Sequence, residues 1–449
     1  MQRINSTVVA IKCALETHGI SAETGKLTTK KTAKYLLGLF SLVDDPRIKG
    51  MTDYPLEYIL LIAFLAVLGN ADTWREMEDF GKTKAGWLGK FLDVKSYGIP
   101  SHDTFRRVFG LIDTAQLQDT IVSLLSENLE VIRRGLCIDD PDGGYRLVCI
   151  DGKEENGTGR RYHAGTGGRV RNTQTLHVYD ATNMVCLASE AIDKKTNEIP
   201  TAQAILRTMD LDGTICTFDA LHMQRETVRI IRGRNGHYVG GLKGNQQGLM
   251  EDAAGCFDDA AVARLRKSRR KKNPVHLILT EHSHGQKETR EYFMAPTPQD
   301  DERDSKWAGL RSYVMCIKTT EPDNPALAAV SETRYYASDL DDLQAIREAI
   351  RSHWAVEQFH WQLDYSYRED DNSTMDAKAF ENLSLIIKMC LHVTQLMKMT
   401  ESNTSVRRLR KRFAWNFEES MEKLLFVFSD EAILNTLDNM KSKMATICL

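Results

Sequence analysis

The stretch between Tyr145 and Leu242 constrains the fold of this chain more than any other. Three short apolar, β-prone runs come first in succession, at Tyr145–Ile150, Thr175–Tyr179 and Met184–Ala188. Two further β-prone runs then alternate with two helical segments, in the order Pro200–Met209, Thr214–Phe218, His222–Arg232 and Tyr238–Leu242. Strands that first follow one another and then alternate with helices predict an α/β core.

The segments on either side of this stretch have different patterns. From about residue 34 to residue 134 apolar positions recur every three or four residues, which is typical of helices, and Ser101 looks like a capped helix start. Residues 274–340 favour strands, and the chain then turns helical at Leu343–Asp364 and Ala377–Met399. We therefore predict a helical N-terminal domain at 1–135, an α/β segment at 143–250, a β-rich segment at 251–340 and a helical segment at 341–449.

Composition argues against several classes of protein. The net charge of −3 does not by itself indicate a nucleic-acid-binding protein. Nine cysteines are scattered singly without C-x-x-C spacing, which argues against a zinc knuckle or a disulfide framework and favours a reducing compartment. The longest uncharged run, Tyr58–Ala71, is shorter than the roughly 20 residues of a membrane-spanning helix. Since no signal peptide pattern begins the sequence, we expect a cytoplasmic protein in which this run is a buried core helix.

Three carboxylates are candidates for a shared site. Asp151 directly follows the run Tyr145–Ile150, and Asp219 directly follows the run Thr214–Phe218. Polar groups just past strand ends line the crevice where ligands bind in open α/β sheets, although a turn or helix-capping aspartate is the alternative for each. Glu357 is the third candidate, because His353, Glu357, His360 and Asp364 fall at steps of four, three and four and so share one helix face. The alternative for this face is ordinary exposure to solvent.

The residue types suggest which cation such a site would bind. Three carboxylates suit hard cations such as Mg²⁺ or Mn²⁺. Two such ions held close together can activate a water or hydroxyl and stabilise the leaving oxygen at a phosphodiester. A zinc hydrolase built on His353, Glu357 and His360 is a competing hypothesis, although these residues do not form the H-E-x-x-H pattern.

Four sequence blocks follow one another along nearly the whole chain. The first consists of Asp45-Pro46-Arg47, Tyr54-Pro55-Leu56 and Ile99–Phe109, and the second is Ile150-Asp151-Gly152-Lys153. The third consists of Lys195–Pro200, Phe218–Gln224 and Leu242–Gln246, and the fourth is His353–Glu357 with Trp361 and Leu363-Asp364. In this order, the blocks resemble those of DDE-type insertion-sequence transposases of the H-repeat-associated (ISAs-like) group.

This resemblance implies a fold and an activity. The fold would be an RNase H-like mixed-sheet core, with Asp151 on its first strand, Asp219 on its fourth and Glu357 on a later helix. An all-helical N-terminal domain would precede this core, a β-rich insertion would interrupt it at 251–340, and the helical segment at 341–449 would complete it. The three acids would be the catalytic residues and would hold two Mg²⁺ or Mn²⁺ ions. The protein would cleave double-stranded DNA at the terminal inverted repeats of an element and join the 3′-hydroxyl to target DNA, acting as a homodimer.

The resemblance also shows where this chain departs from broader relatives. Ile350, His353 and Asp364 stand where those relatives have tyrosine, arginine and lysine around the last acid. His353 and Asp364 are shared with the nearer group, so we do not interpret them as inactivating. The block after Asp151 differs as well, since Glu154 and Glu155 occupy positions that the family fills with uncharged or basic residues. A transposase-derived DNA-binding protein that no longer cleaves is the alternative function, and the presence of all three acids favours activity.

Several residues are candidates for DNA contact. Two basic runs stand out, at residues 264–272 and 407–412, and the candidate contacts within them are Arg264, Arg266, Lys267, Arg269, Arg270, Arg407, Arg408, Arg410, Lys411 and Arg412. Residues near the expected site add Lys195, Lys243, Asn245, His353 and Trp354. The glycine- and arginine-containing stretch 157–168 resembles a basic loop over a phosphate backbone. The alternatives are a solvated surface for the basic residues and packing in the core for Trp354 and Trp361, which is the commoner role of such tryptophans.

Overall fold

The structure, a computed structural model, describes residues 29–122, 125, 144–155, 172–192, 198–268, 270, 273–283, 285–298, 300, 306–324, 326–400, 404–417 and 420. Its N-terminal part is helical, as predicted. The helices are α1 (Thr29–Phe40), α2 (Leu56–Leu68), α3 (Trp74–Thr83), α4 (Ala85–Leu88), α5 (Val94–Tyr97) and α6 (His102–Phe109), and residues 114–122 are also helical.

Local sequence explains where these helices begin and which faces they bury. The Ser101 hydroxyl accepts a hydrogen bond from the Thr104 amide and caps α6, so the predicted helix start is confirmed. Thr73 and Glu76 form a reciprocal capping box at the start of α3. Helix α2 is apolar on all sides and is buried among the other helices, so the interpretation of the run at Tyr58–Ala71 as a core helix is confirmed.

The α/β stretch forms the centre of one mixed sheet. Its elements are β1 (Arg146–Glu155), β2 (Thr173–Asp180), β3 (Val185–Ile192), α7 (Glu198–Thr208), β4 (Thr214–Phe218), α8 (Arg225–Gly233) and β5 (His237–Leu242). Strand β1 pairs antiparallel with β2 on one side and parallel with β4 on the other, and β4 pairs parallel with β5. The predicted α/β core with a mixed sheet is therefore confirmed, and β1 and β4 lie inside the sheet rather than at an edge.

The β-rich segment extends this sheet. It contains α9 (Gln247–Gly255), α10 (Asp259–Arg266), β6 (His276–Ser283), β7 (Gln286–Pro296), β8 (Ser312–Pro322) and β9 (Val330–Ser338). Strand β9 pairs antiparallel with β5, with Gly240 opposite Ala337, which gives nine strands in the order β3-β2-β1-β4-β5-β9-β8-β7-β6. The inserted strands therefore share the sheet that carries the candidate acids.

Helices cover both faces of the sheet and fix the candidate site between them. On one face α7, α8 and α9 pack over residues such as Ile150 and Phe218. The C-terminal helices are α11 (Leu343–Tyr367), α12 (Ala377–Thr400) and α13 (Val406–Trp415). Helix α11 crosses the other face and buries Val356, Phe359 and Leu363 with Cys149 and Tyr179 of the sheet. Burial of each large apolar side chain contributes roughly 1.5–3 kcal/mol, so this contact holds α11 firmly against β1.

The N-terminal helices contact α12 directly. The buried Asn382 amide donates hydrogen bonds to the Phe109 and Ile112 carbonyl oxygens, which lie at and beyond the end of α6. Within the described residues, none of the helices combines the length and the apolar character that crossing a membrane requires.

Candidate active site

Two of the candidate acids lie side by side because of strand register. Strands β1 and β4 run parallel, and their last paired residues are Ile150 and Phe218. Asp151 and Asp219 are the residues that follow this pair, and neighbouring strands lie roughly 4.8 Å apart. The structure therefore brings the two carboxylates to one point of the sheet, as the sequence predicts.

The predicted end of the first strand is wrong. Strand β1 does not stop before Asp151 but continues to Glu155, because β2 pairs with it as far as the position of Glu155 opposite Thr173. Asp219, in contrast, does follow its strand directly. Asp151 thus lies within β1, at the point where pairing with β4 ends and pairing with β2 continues.

Glu357 completes this group of carboxylates from α11. Burial, together with the negative charges of Asp219, Glu357 and Glu198, raises the pKa of Asp151 to about 6, against the hydrogen bond from the Gly152 amide. Burial also raises the pKa of Glu357, against the nearby positive charge of Arg334. Among the described residues, no lysine or arginine forms a salt bridge with Asp151, Asp219 or Glu357. The site is therefore an accumulation of negative charge without a paired protein cation.

Neutral histidines border the acids. His360 lies with Nδ1 3.7 Å from the Asp151 carboxylate and Nε2 2.9 Å from Nδ1 of His177, the residue opposite Asp151 on β2. Burial lowers the pKa of His360 to about 3 and lowers the pKa of His177 well below its ordinary value. Burial likewise lowers the pKa of His353, against the charge of Asp219. At neutral pH these imidazoles are uncharged and therefore do not neutralise the acids.

A second acidic cluster lies beside the first and already contains a cation. Among the described residues, the group of possible metal ligands within 4.8 Å of one another consists of Glu155, Asp364 and Glu369, and not of the three candidate acids or the predicted zinc set. The Lys153 ammonium occupies this group, 2.8 Å from Asp364, 3.1 Å from Glu369 and also paired with Glu155. A lysine charge thus takes the position that a metal ion would need.

A fourth acid, Glu198, lies near the three predicted ones and is not among the acids predicted from the sequence. Glu198 begins α7, and its carboxylate lies so close to Gly152 that a Cβ atom there would approach it to 2.7 Å. The sequence places Glu198 in the third block, near the site, but gives no sign that its charge acts on Asp151. The buried His222 follows Asp219 by three residues, and its Nε2 lies 3.5 Å from the Glu198 carboxylate.

Residues of the loop after β5 hold the loop that follows Asp219. The Asn245 amide donates to the Ala220 carbonyl oxygen at 2.5 Å, and the Gln246 amide donates to the Met223 carbonyl oxygen at 2.8 Å. Asn245, a candidate DNA contact, therefore has a structural partner in the loop behind Asp219. Lys243 is exposed beside them.

The tryptophans of α11 are exposed, so the expectation of core packing is wrong for both. Trp354 is 38% exposed and lies beneath Lys318 and Arg334, at 5.7 and 6.0 Å from its ring centre. Trp361 is 53% exposed and stacks on Tyr365 with ring centres 4.6 Å apart. Both rings lie on the outer side of the helix because Val356, Phe359 and Leu363 occupy the side that faces the sheet.

The basic runs divide into exposed and engaged residues. Those exposed to solvent are Arg264, Arg266, Lys267, Arg270, Arg407, Arg408 and Lys411, with Arg412 half-buried. Arg266 forms two hydrogen bonds with Glu291, so this run is not free of compensating acids. Arg410 is only 1% exposed and donates to the Val67 and Ser366 carbonyl oxygens and to Asp72, which rules out its predicted contact with DNA. Lys195, Arg269 and the stretch 157–168 lie outside the described residues.

Comparisons with known proteins cover most of the chain. Residues 142–392 match the family described as Transposase DDE domain, and residues 37–125 match the family described as DDE_Tnp_1-associated. The chain is similar to the putative transposase YncI of Escherichia coli O157:H7, with 29% identity over 85% of this chain and 92% of that protein. It is also similar to the H repeat-associated putative transposase YhhI of Escherichia coli K12, with 26% identity over 84% and 94% of the two chains. A shorter match, 37% identity over 17% of this chain and 88% of the relative, is to the inactive transposase YbfQ of Escherichia coli K12.

Proposed function

Because this chain belongs to the Transposase DDE domain family, we propose that it is a DNA transposase that cleaves DNA at the ends of an insertion sequence and joins the freed 3′-hydroxyl to target DNA. Membership in this family gives its mixed sheet an RNase H-like fold. The observation that carries the proposal is the meeting of Asp151 and Asp219 at one point of the sheet, with Glu357 acting on Asp151 from α11.

Asp151, Asp219 and Glu357 are suited to hold two divalent ions, Mg²⁺ or Mn²⁺. They offer hard oxygen ligands, and their mutual repulsion in a partly buried place is relieved by a bound cation. When bound, such ions activate the attacking water or hydroxyl and stabilise the leaving oxygen at a phosphodiester. The cluster of Glu155, Asp364 and Glu369 is less suited to a metal ion, because the Lys153 ammonium already lies among its carboxylates.

The surface beside Glu357 has the chemistry to hold a DNA strand. Lys318 and Arg334 lie over the ring of Trp354 and also pair with Glu288 and Glu332, and Lys243 is exposed to solvent. Contacts from such residues to phosphates position DNA without reading its sequence. His353 lies on α11 near Asp219, where it would contact the DNA strand that enters the site.

The partner would be double-stranded DNA carrying the terminal inverted repeats of the element. A homodimer would place two equivalent sites on the two ends, since two-fold symmetry presents the same surface twice. The exposed members of the two basic runs would bind the flanking phosphates.

Cleavage of the element's own ends tests this proposal. Purified protein and Mg²⁺ would be incubated with DNA that carries the inverted repeats flanking its reading frame. We expect Asp219→Asn to lower cleavage on the order of a thousandfold, because it removes a ligand for the ions that stabilise the transition state. Asp212→Asn is the matched control, since Asp212 is exposed two residues before β4.

Two outcomes would contradict the proposal. Equal cleavage by the wild type and Asp219→Asn would remove the assigned role of the acids. Specific binding of these ends by a wild-type protein that does not cleave would favour the alternative, a transposase-derived DNA-binding protein. A relative that matches 17% of this chain is named an inactive transposase.

A further inference from the structure

We propose that Glu198 is a fourth acidic ligand of the divalent-metal site and that His222 holds its carboxylate in place. This inference rests on the proposed function, because it assigns a further residue to the same site. It concerns a side chain at the start of α7, on the face of the sheet opposite to α11.

The position of Glu198 is built into the backbone of β1. The residue after Asp151 is Gly152, and a Cβ atom added there would come within 2.7 to 2.8 Å of the Glu198 carboxyl carbon and both oxygens. Only glycine allows the carboxylate to lie against the strand at this point. Glu198 therefore approaches the neighbour of Asp151 closely, and its charge contributes to raising the pKa of Asp151.

The second observation is a buried histidine directed at Glu198. His222 is 1% exposed, and neither ring nitrogen has a hydrogen-bond partner among the described residues. Its Nε2 lies 3.5 Å from Oε2 of Glu198, slightly beyond the length of a good hydrogen bond. A buried polar ring without a partner calls for an explanation, and closure of this gap when a cation draws in the carboxylate supplies one.

The position of His222 follows from that of Asp219. The Asp219 carboxylate accepts a hydrogen bond from the Leu221 amide, and the turn that results directs His222 inward. The same short loop thus carries one proposed ligand and the residue that positions another. Second-shell hydrogen bonds of this kind commonly fix the orientation of metal ligands.

Charge balance distinguishes a ligand from a structural acid. Among the described residues, no lysine or arginine forms a salt bridge with Glu198. Two divalent ions bound by three carboxylates would leave one positive charge unbalanced in a partly buried site, and a fourth carboxylate removes this excess. Glu198 is the acid that the structure places against Gly152, the residue after Asp151.

Binding of Mn²⁺ without DNA tests the assignment. The fraction of free Mn²⁺ would be followed by electron paramagnetic resonance as the metal is titrated into the wild type, Glu198→Gln, Asp151→Asn and Glu190→Gln. Glu190 is an exposed glutamate on β3 and serves as the matched control. We expect Glu198→Gln to weaken Mn²⁺ binding by about 10- to 100-fold and Glu190→Gln to leave it unchanged.

The result for Asp151→Asn shows whether a failure concerns Glu198 alone or the whole proposed metal site. If Asp151→Asn weakens binding and Glu198→Gln does not, the role of Glu198 is refuted and the proposed function stands. If neither variant changes binding, the metal site of the proposed function fails together with this inference. Weakened binding in both variants supports both.

Thermal unfolding of the metal-free protein shows whether Glu198 instead stabilises the fold. A carboxylate that repels its neighbours destabilises the metal-free fold, so Glu198→Gln should melt at the same temperature as the wild type or higher, and gain less from added Mn²⁺. A lower melting temperature without metal would identify Glu198 as a structural residue and overturn the inference.

Discussion

Strand β1 carries two acidic clusters that differ in one component. Asp151 and Lys153 lie two residues apart and point to the same face of the sheet, where α11 contributes Glu357 to the first cluster and Asp364 to the second. In the second cluster the Lys153 ammonium pairs with Glu155, Asp364 and Glu369, whereas no lysine or arginine of the described chain pairs with the first. The same strand and helix thus form one cluster that contains a lysine and one in which no lysine or arginine of the described chain pairs with the acids.

The presence or absence of a paired lysine distinguishes the structural acids from the functional ones more clearly than the pKa values of the acids do. Burial works against the charged form of Lys153, but the charges of Glu369 and Glu155 raise its pKa above the ordinary value. The resulting ion pairs tie β1 to the end of α11 and to the short helical turn at 369–371. They therefore fix the helix that carries Glu357 relative to the strand that carries Asp151.

The largest effect is expected when the second cluster loses its cation. Lys153→Met should lower the free energy of unfolding by about 3–5 kcal/mol, because it leaves buried carboxylates without a counter-charge. Chemical denaturation at neutral pH would measure this loss, and Lys267→Met is the control at an exposed lysine. A combined Lys153→Met and Asp364→Asn variant should recover part of the stability. If the Lys153→Met protein is as stable as the wild type, the second cluster does not depend on its lysine and the proposed difference between the clusters is wrong.

The first cluster should instead make the unfolding free energy of the protein depend on pH. Burial raises the pKa of Asp151 from 3.8 to about 6, so the folded protein binds this proton more tightly than the unfolded chain. The stability that this carboxyl contributes is fully present below pH 4 and is lost as the pH rises through 6, a change of roughly 3 kcal/mol at most. Without metal, the difference in unfolding free energy between the wild type and Asp151→Asn should change across this interval. Parallel pH profiles for the two proteins would contradict the assigned environment of Asp151.

Sequence was sufficient where the deciding signal is local. Apolar runs predicted the first five strands, with ends displaced by a few residues, and the composition of residues 274–340 predicted that further strands follow. The steps of four and three along α11 predicted that His353, Glu357 and His360 share a face. Asp219 could be identified as a candidate because it directly follows the apolar run Thr214–Phe218. These features depend on residues within one or two turns of each other, which is the range that periodicity reports.

Sequence failed where a distant partner decides. Strand β1 continues past Asp151 through Gly152 and Lys153 because β2 pairs there, and nothing in these residue types favours a strand. Lys153 meets Glu369 from 216 positions away, and Arg410 is buried by carbonyl groups of Val67 and Ser366. The outward direction of Trp361 likewise depends on which side of α11 the sheet covers. Charge alone could not distinguish a buried arginine from an exposed one in the same run.

The smallest effect lies within the second cluster and shows how its charge is distributed. Burial and the charge of Glu369 raise the pKa of Glu155, while for Glu369 the charges of Lys153 and Lys388 overcome burial and lower the pKa. Glu155→Gln should therefore cost less than about 1 kcal/mol of unfolding free energy at pH 7, since it replaces a carboxyl that is already inclined to bind a proton. Glu369→Gln should cost about 2–3 kcal/mol, because it removes a charged acceptor of Lys153 and of the Ser384 hydroxyl. Denaturation of the two variants measures the contrast. Equal losses would mean that both acids carry full charge, and the cluster would then need more positive charge than Lys153 and Lys388 provide.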